Sequence, residues 1–270
     1  EGRLKSMTTE SAASRSSTTD GTIPPLPKAV SFLGARMFPW SVAQTLQEIA
    51  RRLDAGEFTQ HVVVNVAKVV NMRGDAGLRD AVNGCDIINI DGMGVVWGAR
   101  MLGIGVPERV AGVDLFFSLL SLASERGDSV FLLGAREDVV NEAVRRVQGD
   151  YPSLKISGWH HGYFWDDEKA VVKQIADSGA TMLFVAITSP KKEQFIQRWR
   201  GQLRVKFVMG VGGTFDIVAG KTKRAPLWMQ RSGMEWLFRV IQEPRRMWKR
   251  YLVTNARFAW MLLRARLLGE

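Results

Sequence analysis

Soft metal ligands and disulfide-forming residues are scarce in this chain. Its 270 residues include one cysteine, Cys85, and three histidines, His61, His160 and His161. A single cysteine excludes an internal disulfide and suits a reducing compartment. Cys85 precedes an apolar run, so we expect a buried and unreactive thiol. His160 and His161 are adjacent and we expect their rings to diverge, so the sequence predicts no metal site.

The usual sequence marks of membrane spans and nucleotide-binding loops are also missing. Arg257 interrupts the apolar run near the C-terminus, whereas a spanning helix needs about 20 apolar residues. There is no G-K-[ST] P-loop and no well-formed G-x-G-x-x-G after the first predicted strand. Neither a Ser-His-Asp nor a Cys-His arrangement is evident. The pattern therefore favours neither a transmembrane protein, nor a common nucleotide-binding fold, nor a hydrolase with a serine or cysteine nucleophile.

Residues 1–28 are rich in serine and threonine and end with three prolines. They contain no apolar stretch of the kind that a signal peptide requires. We predict that this segment is a disordered lead, and that residues 1–6, before Met7, are a cloning remnant.

Positive charge is concentrated in the last fifty residues. Residues 221–270 contain twelve Lys or Arg and three acidic residues, out of a formal net charge of +10 for the chain. A nearly neutral body with a strongly basic C-terminal segment indicates an anionic partner for that segment.

The basic segment has the pattern of an amphipathic helix that begins at Pro244. At 100° per residue, Arg246, Arg250, Arg257 and Arg264 fall within about 40° of one another. The opposite arc is apolar and holds Met247, Trp248, Tyr251, Leu252, Phe258, Ala259, Leu262 and Leu263. Helices of this composition lie in membrane interfaces. Two alternatives stay open: a helix whose apolar face packs on its own domain, and a nucleic-acid-binding segment, which no recognisable motif supports.

Strand and helix patterns alternate through the middle of the chain. Apolar β-rich runs occupy residues 61–66, 86–90, 129–133, 154–157, 181–187 and 205–211. Helical spacing occupies residues 41–53, 113–126, 137–148, 167–178 and 191–199. The alternation predicts an α/β fold, a Rossmann-like and largely parallel sheet with helices on both faces. We place this core at residues 29–220 and a helical appendage at residues 221–270.

Ligands of such sheets bind beyond the carboxyl ends of the strands. Asn65 and Asp91 stand there, as do Gly134, the Ser189-Pro190 pair and the glycines of residues 210–213. Glycines at these ends let backbone N–H groups approach a phosphate, but they are also ordinary turn residues. Asp91 is either a catalytic carboxylate or a helix N-cap. Two further possibilities stay open: Asp114 as a cap, and a two-carboxylate hydrolase built from Asp86, Asp91, Asp114 and Asp216.

The ordered set of motifs resembles the WecG/TagA/CpsF family of bacterial glycosyltransferases over about residues 30–255. In the first half the matching stretches are Val64-Asn65-Val66 with Lys68, Asn89-Ile90-Asp91-Gly92-Met93-Gly94, Arg109-Val110-Ala111-Gly112-Val113-Asp114, Phe131-Leu132-Leu133-Gly134 and Gly162-Tyr163-Phe164. In the second half they are Ser189-Pro190-Lys191-Lys192-Glu193, Gly210-Val211-Gly212-Gly213-Thr214-Phe215-Asp216, Lys223-Arg224-Ala225-Pro226, Glu235-Trp236-Leu237-Phe238-Arg239 and Glu243-Pro244-Arg245-Arg246.

The resemblance implies an inverting transfer of a sugar from a UDP-sugar donor to a polyprenyl-diphosphate-linked saccharide, without a metal or cofactor. It places the enzyme peripherally on the cytoplasmic face of the bacterial inner membrane, against an anionic membrane surface. It makes Asp91 the general base. The donor residues would be Asn65, Gly134, Lys192, Gly210, Gly212, Gly213 and Asp216. The residues for the acceptor and its diphosphate would be Arg109, Arg224, Arg239, Arg245, Arg246, Lys249 and Arg250.

Two residues depart from the family pattern. Lys192 stands where the family usually has Gln, and Val63 stands where many members have Thr. A lysine near the donor favours an acidic sugar or a phosphate. Because both departures set the chain apart from the usual family pattern, we do not expect N-acetylmannosamine but a donor like that of the exopolysaccharide members, a hexose such as glucose or glucuronic acid. The product would carry a β-1,4 link in exopolysaccharide assembly, as in xanthan-type pathways. The alternatives are an N-acetylmannosamine or N-acetylmannosaminuronic acid transferase of the same family and a non-enzymatic, membrane-associated nucleotide-binding module. A homo-oligomer is possible on this sequence.

Overall fold

The computed structural model describes residues 26–268, with the exception of the Arg246 side chain. Most of the predicted disordered lead, together with the predicted cloning remnant, lies outside the described residues. An antiparallel pair, β1 (Val30–Phe32) and β2 (Ala35–Met37), precedes the main sheet.

The main sheet has six parallel strands, so the predicted fold class is confirmed. They are β3 (Thr59–Val64), β4 (Ile87–Ile90), β5 (Ser129–Gly134), β6 (Lys155–His160), β7 (Met182–Ala186) and β8 (Phe207–Gly210). Their order across the sheet is β4-β3-β8-β7-β5-β6. Every neighbouring pair is parallel, for example Val64 beside Ile90 and Val185 beside Gly210. All carboxyl ends therefore meet at one edge.

Helices cover both faces of this sheet. Those preceding residue 220 are α1 (Val42–Asp54), α2 (Val66–Gly74), α3 (Ala76–Asn83), α4 (Met93–Met101), α5 (Gly112–Arg126), α6 (Glu137–Asp150), α7 (Glu168–Asp177), α8 (Lys191–Trp199) and α9 (Thr214–Val218). The C-terminal segment adds α10 (Leu227–Arg231), α11 (Glu235–Gln242) and α12 (Pro244–Leu268). The five predicted helices match α1, α5, α6, α7 and α8 to within two residues at each end.

Alternation along the buried strands decides which helix covers which face. On β5, Leu132 packs with α1, α5 and α6, whereas Phe131 and Leu133 pack with α7 and α8 on the opposite face. On β4, Ile88 and Ile90 pack with α2, α3 and α4. Because both faces are buried, the strands are continuous apolar runs rather than alternating ones.

Helix α12 begins at Pro244, as predicted, and packs one side on the core. Phe258, Met261 and Leu262 are buried in the same cluster as Phe32 of β1. Gly98 of α4 makes room for this contact, since a Cβ there would lie 2.9 Å from Leu262 Cδ2.

A second apolar side of α12 faces outward, with Trp248, Leu252, Trp260, Leu263 and Leu267 all exposed. The packed-helix alternative and the exposed-face prediction therefore each describe one side of α12. Within residues 26–268 no helix combines the length and the apolar character that crossing a membrane requires.

Three local predictions differ from the structure. Asp114 does not cap α5, because that helix begins at Gly112 with Ala111 as N-cap. The rings of His160 and His161 do not diverge, since their centroids lie 4.3 Å apart. Asp86 cannot join a carboxylate pair with Asp91, because it precedes β4 and lies at the amino edge of the sheet. The thiol of Cys85 is buried as expected, and burial raises its pKa to about 12.

Candidate active site

Asp91 is the carboxylate at the carboxyl end of β4. Its backbone N–H donates to Val64 O at the end of β3, 2.9 Å away. The N-cap of α4 is Gly92, which has φ 99° and supplies no side-chain cap bond, so the alternative of Asp91 as an N-cap is wrong. Asn65 lies close by, because a Cβ on Gly92 would be 3.9 Å from Asn65 Cβ. The Asp91 side chain therefore does not cap α4.

Protein encloses the Asp91 carboxyl from several elements. A Cβ on Gly112, the first residue of α5, would lie 3.9 Å from Asp91 Oδ2 and 3.4 Å from Val63 Cγ2. Burial raises the pKa of Asp91 above its ordinary value of 3.8, and the nearby Glu235 charge raises it further. The charges of Arg109 and Arg239 and the Gly112 N–H oppose this rise. Desolvation outweighs them, which makes this carboxylate a stronger base than an exposed aspartate.

Cations from the core and from the C-terminal helices meet beside Asp91. Arg109 Nη1 lies 2.7 Å from Glu235 Oε2, and Arg239 Nη2 lies 3.8 Å from Glu235 Oε1. The Arg109 side chain is 13% exposed and that of Glu235 is 20% exposed. Because Arg109 belongs to the core and Glu235 to α11, this ion pair joins the two parts of the chain over Asp91.

Helix α12 reaches the same place through Tyr251. Burial raises the pKa of Tyr251, and the charges of Arg239, Arg250, Glu235 and Asp91 all act on it. Its ring lies 5.9 Å from that of Trp236 on α11. Tyr251 is a candidate site residue that the sequence analysis treated only as part of an apolar arc.

Arg224 is held by Asp114. Its two terminal nitrogens bond both carboxylate oxygens, with Nη2 2.7 Å from Asp114 Oδ2. Arg224 Nε is buried and has no partner among the described residues. A cavity of about 110 Å³ lies next to this pair and is lined by Gly213, Asp216, Arg224, Glu235 and Arg239, among others. Predicted donor and acceptor residues therefore share one cavity.

A buried charged cluster lies where β3, β7 and β8 end. Lys68 Nζ is 2.9 Å and Lys192 Nζ 3.5 Å from the same oxygen, Glu193 Oε1. Burial and the like charge of Lys68 lower the pKa of Lys192 to about 8. Burial acts to raise the pKa of Glu193, but the two lysines outweigh it and lower that pKa to about 2. With two cations and one anion, the cluster carries a surplus positive charge.

The position of Lys192 also explains why residue 210 is a glycine. A Cβ on Gly210 would lie 2.7 Å from Lys192 Cε, so the lysine stem passes directly over this residue. Gly134 has a similar packing reason, because its φ is 126° and a Cβ would lie 2.4 Å from Ala186 O. Gly212 has φ 54° and open space around it. Of the predicted donor glycines, Gly212 and the N-cap Gly213 keep an exposed backbone approach.

Among the described side chains, the remaining residues that were predicted to bind the acceptor lie outside the lining of the cavity beside Arg224. Arg245, Lys249 and Arg250 are exposed on α12, and the Arg246 side chain lies outside the described set. Only Arg250 of these acts on a cleft residue, Tyr251. In the Gly162-Tyr163-Phe164 stretch, Tyr163 is 69% exposed, whereas Phe164 is buried in the core.

Lys68, Glu193 and Glu235 are further site residues to which sequence reasoning gave no role. Each stands inside a matching motif, which was the available signal. Their ion pairs span 125 and 126 residues of sequence, and no local pattern shows such pairings. Within residues 26–268 no group of three or more His, Cys, Asp or Glu side chains is arranged to hold a metal ion.

Comparison with known proteins gives the fold and the site a family. The sequence profile of the Glycosyl transferase WecG/TagA/CpsF family matches residues 30–270. An N-acetylglucosaminyldiphosphoundecaprenol N-acetyl-beta-D-mannosaminyltransferase of Bacillus subtilis (strain 168) is 39% identical over 178 residues, covering 66% of this chain and 69% of the relative. The protein of the same name from Bacillus spizizenii (strain ATCC 23059 / NRRL B-14472 / W23) is 38% identical over 182 residues, covering 67% and 68%. The resemblance drawn from the motifs is thereby confirmed, and the chain belongs to the WecG/TagA/CpsF family of glycosyltransferases.

Proposed function

We propose that the chain transfers N-acetylmannosamine from a UDP-sugar to N-acetylglucosamine carried on a polyprenyl diphosphate. Membership of a glycosyltransferase family supports the reaction class, and the names of both relatives support this sugar and this acceptor. The expected preference for glucose or glucuronic acid in exopolysaccharide assembly has no support from these relatives. The N-acetylmannosamine alternative from the sequence analysis is the better supported one.

The observation that carries the mechanism is a desolvated Asp91 beside cations from both parts of the chain. In an inverting transfer the acceptor hydroxyl attacks the anomeric carbon from the face opposite UDP. Asp91 accepts the hydroxyl proton as the new C–O bond forms, and UDP leaves with the electrons of the broken bond. A carboxylate whose pKa is raised by burial suits this proton transfer.

Arginines would stabilise the phosphate charge in this reaction. The leaving UDP and the acceptor diphosphate are both anionic, and arginine binds phosphate with two parallel hydrogen bonds. Arg109 and Arg239 flank Glu235, and Arg224 binds Asp114, so each already faces an anion. We expect substrate phosphates to replace these carboxylates as partners, without a metal ion. The more exposed Arg245, Arg246, Lys249 and Arg250 would attract the lipid diphosphate to the cleft.

The donor would lie over the carboxyl ends of β3 and β8. Asn65, Gly212, Gly213 and Asp216 would contact it directly, while Lys192 would add positive charge from below. That surplus charge favours a second candidate, a donor sugar with its own carboxylate such as N-acetylmannosaminuronic acid.

We place the enzyme peripherally at the cytoplasmic face of the inner membrane. Residues 29–220 would form the catalytic core, and residues 221–270 would both cover the site and contact the membrane. The exposed apolar side of α12 and the exposed Trp228 and Trp236 of the preceding helices support this contact.

A panel of radiolabelled donors and synthetic acceptors tests the proposal. UDP-N-acetylmannosamine, UDP-N-acetylmannosaminuronic acid, UDP-glucose and UDP-glucuronic acid would each be offered with prenyl-diphosphate-linked N-acetylglucosamine or glucose. We expect the fastest transfer from UDP-N-acetylmannosamine to the N-acetylglucosamine acceptor, unchanged by EDTA. Faster transfer from UDP-glucose to the glucose acceptor would return the assignment to exopolysaccharide assembly.

Two controls separate the rival functions. A non-enzymatic nucleotide-binding module would bind UDP but transfer nothing with any pair in the panel. A nucleic-acid-binding protein would shift DNA or RNA in a salt-sensitive way and ignore anionic vesicles. We expect vesicle co-sedimentation without a nucleic-acid shift.

A further inference from the structure

A groove of about 590 Å³ lies between the end of α2, the start of α3 and the second half of α12. It is separate from the cavity beside Arg224, because the two share no lining residue. The end of α2 supplies one wall of the groove and α12 supplies the other. Ser189 and Pro190, which follow β7, also line it, but none of its charged residues was assigned a role in glycosyl transfer.

Three arginines converge on this groove. Arg73 comes from α2, while Arg257 and Arg264 are seven residues apart on α12 and therefore lie on the same side of that helix. Asp75 is the one acidic residue in the lining, and its side chain caps α3 by accepting from Leu78 N–H at 2.8 Å. Within residues 26–268 neither Arg73 nor Arg257 has an ion-pair partner, whereas Arg264 does interact with another group. Arg73 and Arg257 therefore present positive charge in the groove without an ion-pair partner among the described residues, alongside Arg264 and the single carboxylate of Asp75.

The rest of the lining is apolar. Leu78 and Met261 are buried beneath the groove, and Trp260 stands at its rim with 66% of its surface exposed. Leu263 and Leu267 continue the exposed apolar surface along α12. A cationic rim over an apolar floor, with exposed apolar side chains alongside, matches a ligand that joins a phosphate to hydrocarbon chains. A free nucleotide or a nucleic acid has no such chains.

We propose that this groove binds the headgroup of one anionic phospholipid molecule. Arg73, Arg257 and Arg264 surround the phosphodiester, and Trp260 lies beside the glycerol and the first acyl carbons. Because Arg73 belongs to the core and the other two arginines to α12, a bound headgroup also holds α12 against α2. The proposal does not depend on which sugar the enzyme transfers.

Retention of a single lipid molecule tests the proposal. The full chain would be incubated in detergent with phosphatidylglycerol or phosphatidylcholine, and the lipid retained per chain would be measured by native mass spectrometry. We expect one retained phosphatidylglycerol, and weaker retention of phosphatidylcholine because its choline ammonium would face the arginines. Arg73→Gln and Arg257→Gln should each weaken retention about fivefold, the effect of one basic side chain near an anionic surface.

The matched control is Lys155→Gln, which removes the same charge from an exposed residue at the amino end of the edge strand β6. It should leave retention unchanged. Arg73 and Arg257 are exposed, so equal melting temperatures of the variants would verify that they fold.

Three outcomes would overturn the proposal. These are undiminished retention in the Arg73→Gln/Arg257→Gln double variant, an equal loss in the Lys155→Gln control, and displacement of the lipid by inorganic phosphate at the concentration at which phosphate itself binds. The last would make the groove a free-phosphate site. Since the readout is lipid retention, a failure of the proposed transfer reaction would leave these results interpretable.

Discussion

The surroundings of Asp91 differ from those of the other aspartates near the sheet. Asp86 meets arginines at the amino edge of the sheet, and Asp114 is bonded to Arg224. Asp91 has the cations Arg109 and Arg239 nearby and accepts a hydrogen bond from the Gly112 backbone N–H, but burial is the largest influence on its pKa and raises it. A carboxylate left desolvated in this way is costly for folding and useful as a base.

Asp91→Asn should abolish transfer without unfolding the protein. We expect kcat to fall by about 10²- to 10⁴-fold, the range that a general base contributes. Burial disfavours the ionised carboxylate, so at neutral pH the amide should raise the melting temperature. Asp166→Asn, at an exposed position, should change neither quantity. Near-normal turnover of Asp91→Asn in the acceptor assay would remove Asp91 from the role of base.

Glu235 is expected to set the pH at which that base works. The base must be ionised, so kcat/KM should fall as pH is lowered through the pKa of Asp91, which lies above its ordinary value. The charge of Glu235 raises that pKa, and Glu235 also partly neutralises Arg109 and Arg239, which lower it. Glu235→Gln should therefore move the acidic limb of the pH profile to lower pH.

The control for this shift is Glu125→Gln on the exposed side of α5. It should leave the pH profile of the wild type in place. An unmoved acidic limb in Glu235→Gln, together with unchanged KM for the acceptor, would show that Glu235 acts only in folding.

At the scale of elements, continuous apolar runs in the sequence predicted the strands well. The polar contacts between elements were predicted poorly. Residues 61–66 read as one strand, but β3 ends at Val64 because the Asn65 side chain accepts from Lys68 N–H and starts α2. The valines at positions 69 and 70 then belong to a helix that buries them against α12 and the sheet. The apolar composition of this stretch cannot show where the strand gives way to the helix, since the Asn65 cap and the packing of the helix decide it. The Lys68–Glu193 pair was equally hidden, because it joins α2 to α8 only in the folded chain.

Lys68→Met should destabilise the fold by about 3 to 5 kcal/mol, as expected when one partner of a buried ion pair is removed. Glu193 is 2% exposed and would keep only the more distant Lys192 at 3.5 Å. Adding Glu193→Gln should recover part of the loss, because the buried anion is then gone and Lys192, whose pKa is already lowered to about 8, can become neutral. Urea denaturation of the single and double variants measures both effects. A loss below 1 kcal/mol in Lys68→Met would mean that water or local movement replaces the pair.

At the scale of the whole molecule, the basic C-terminal segment is joined to the core rather than loosely attached. The sequence predicted its charge, its helix and its start, but not that Phe258, Met261 and Leu262 complete a cluster with β1 and α4. Nor did it show that the segment's Glu235 and Arg224 pair with core residues beside Asp91. An amphipathic pattern gives the apolar side of a helix but not the surface that receives it. Removing residues 221–270 would therefore expose core surface as well as uncover the site.

Point substitutions on α12 test whether this helix is held on the core, without truncating the chain. Phe258 is 6% exposed and lies 6.2 Å, ring to ring, from Phe32. Phe258→Ala should lower the free energy of unfolding by about 3 to 5 kcal/mol, since it leaves a cavity between α12 and the core. Leu267→Ala, at a position that is 74% exposed on the same helix, should cost less than about 0.5 kcal/mol. Tyr251 reaches the Asp91 region from this helix. Phe258→Ala should therefore also lower the rate of glycosyl transfer, because α12 is then held less firmly on the core. Equal stabilities of the two variants would mean that α12 is not part of the cooperative fold, and the cover over Asp91 would then have to form only when substrate or membrane is bound.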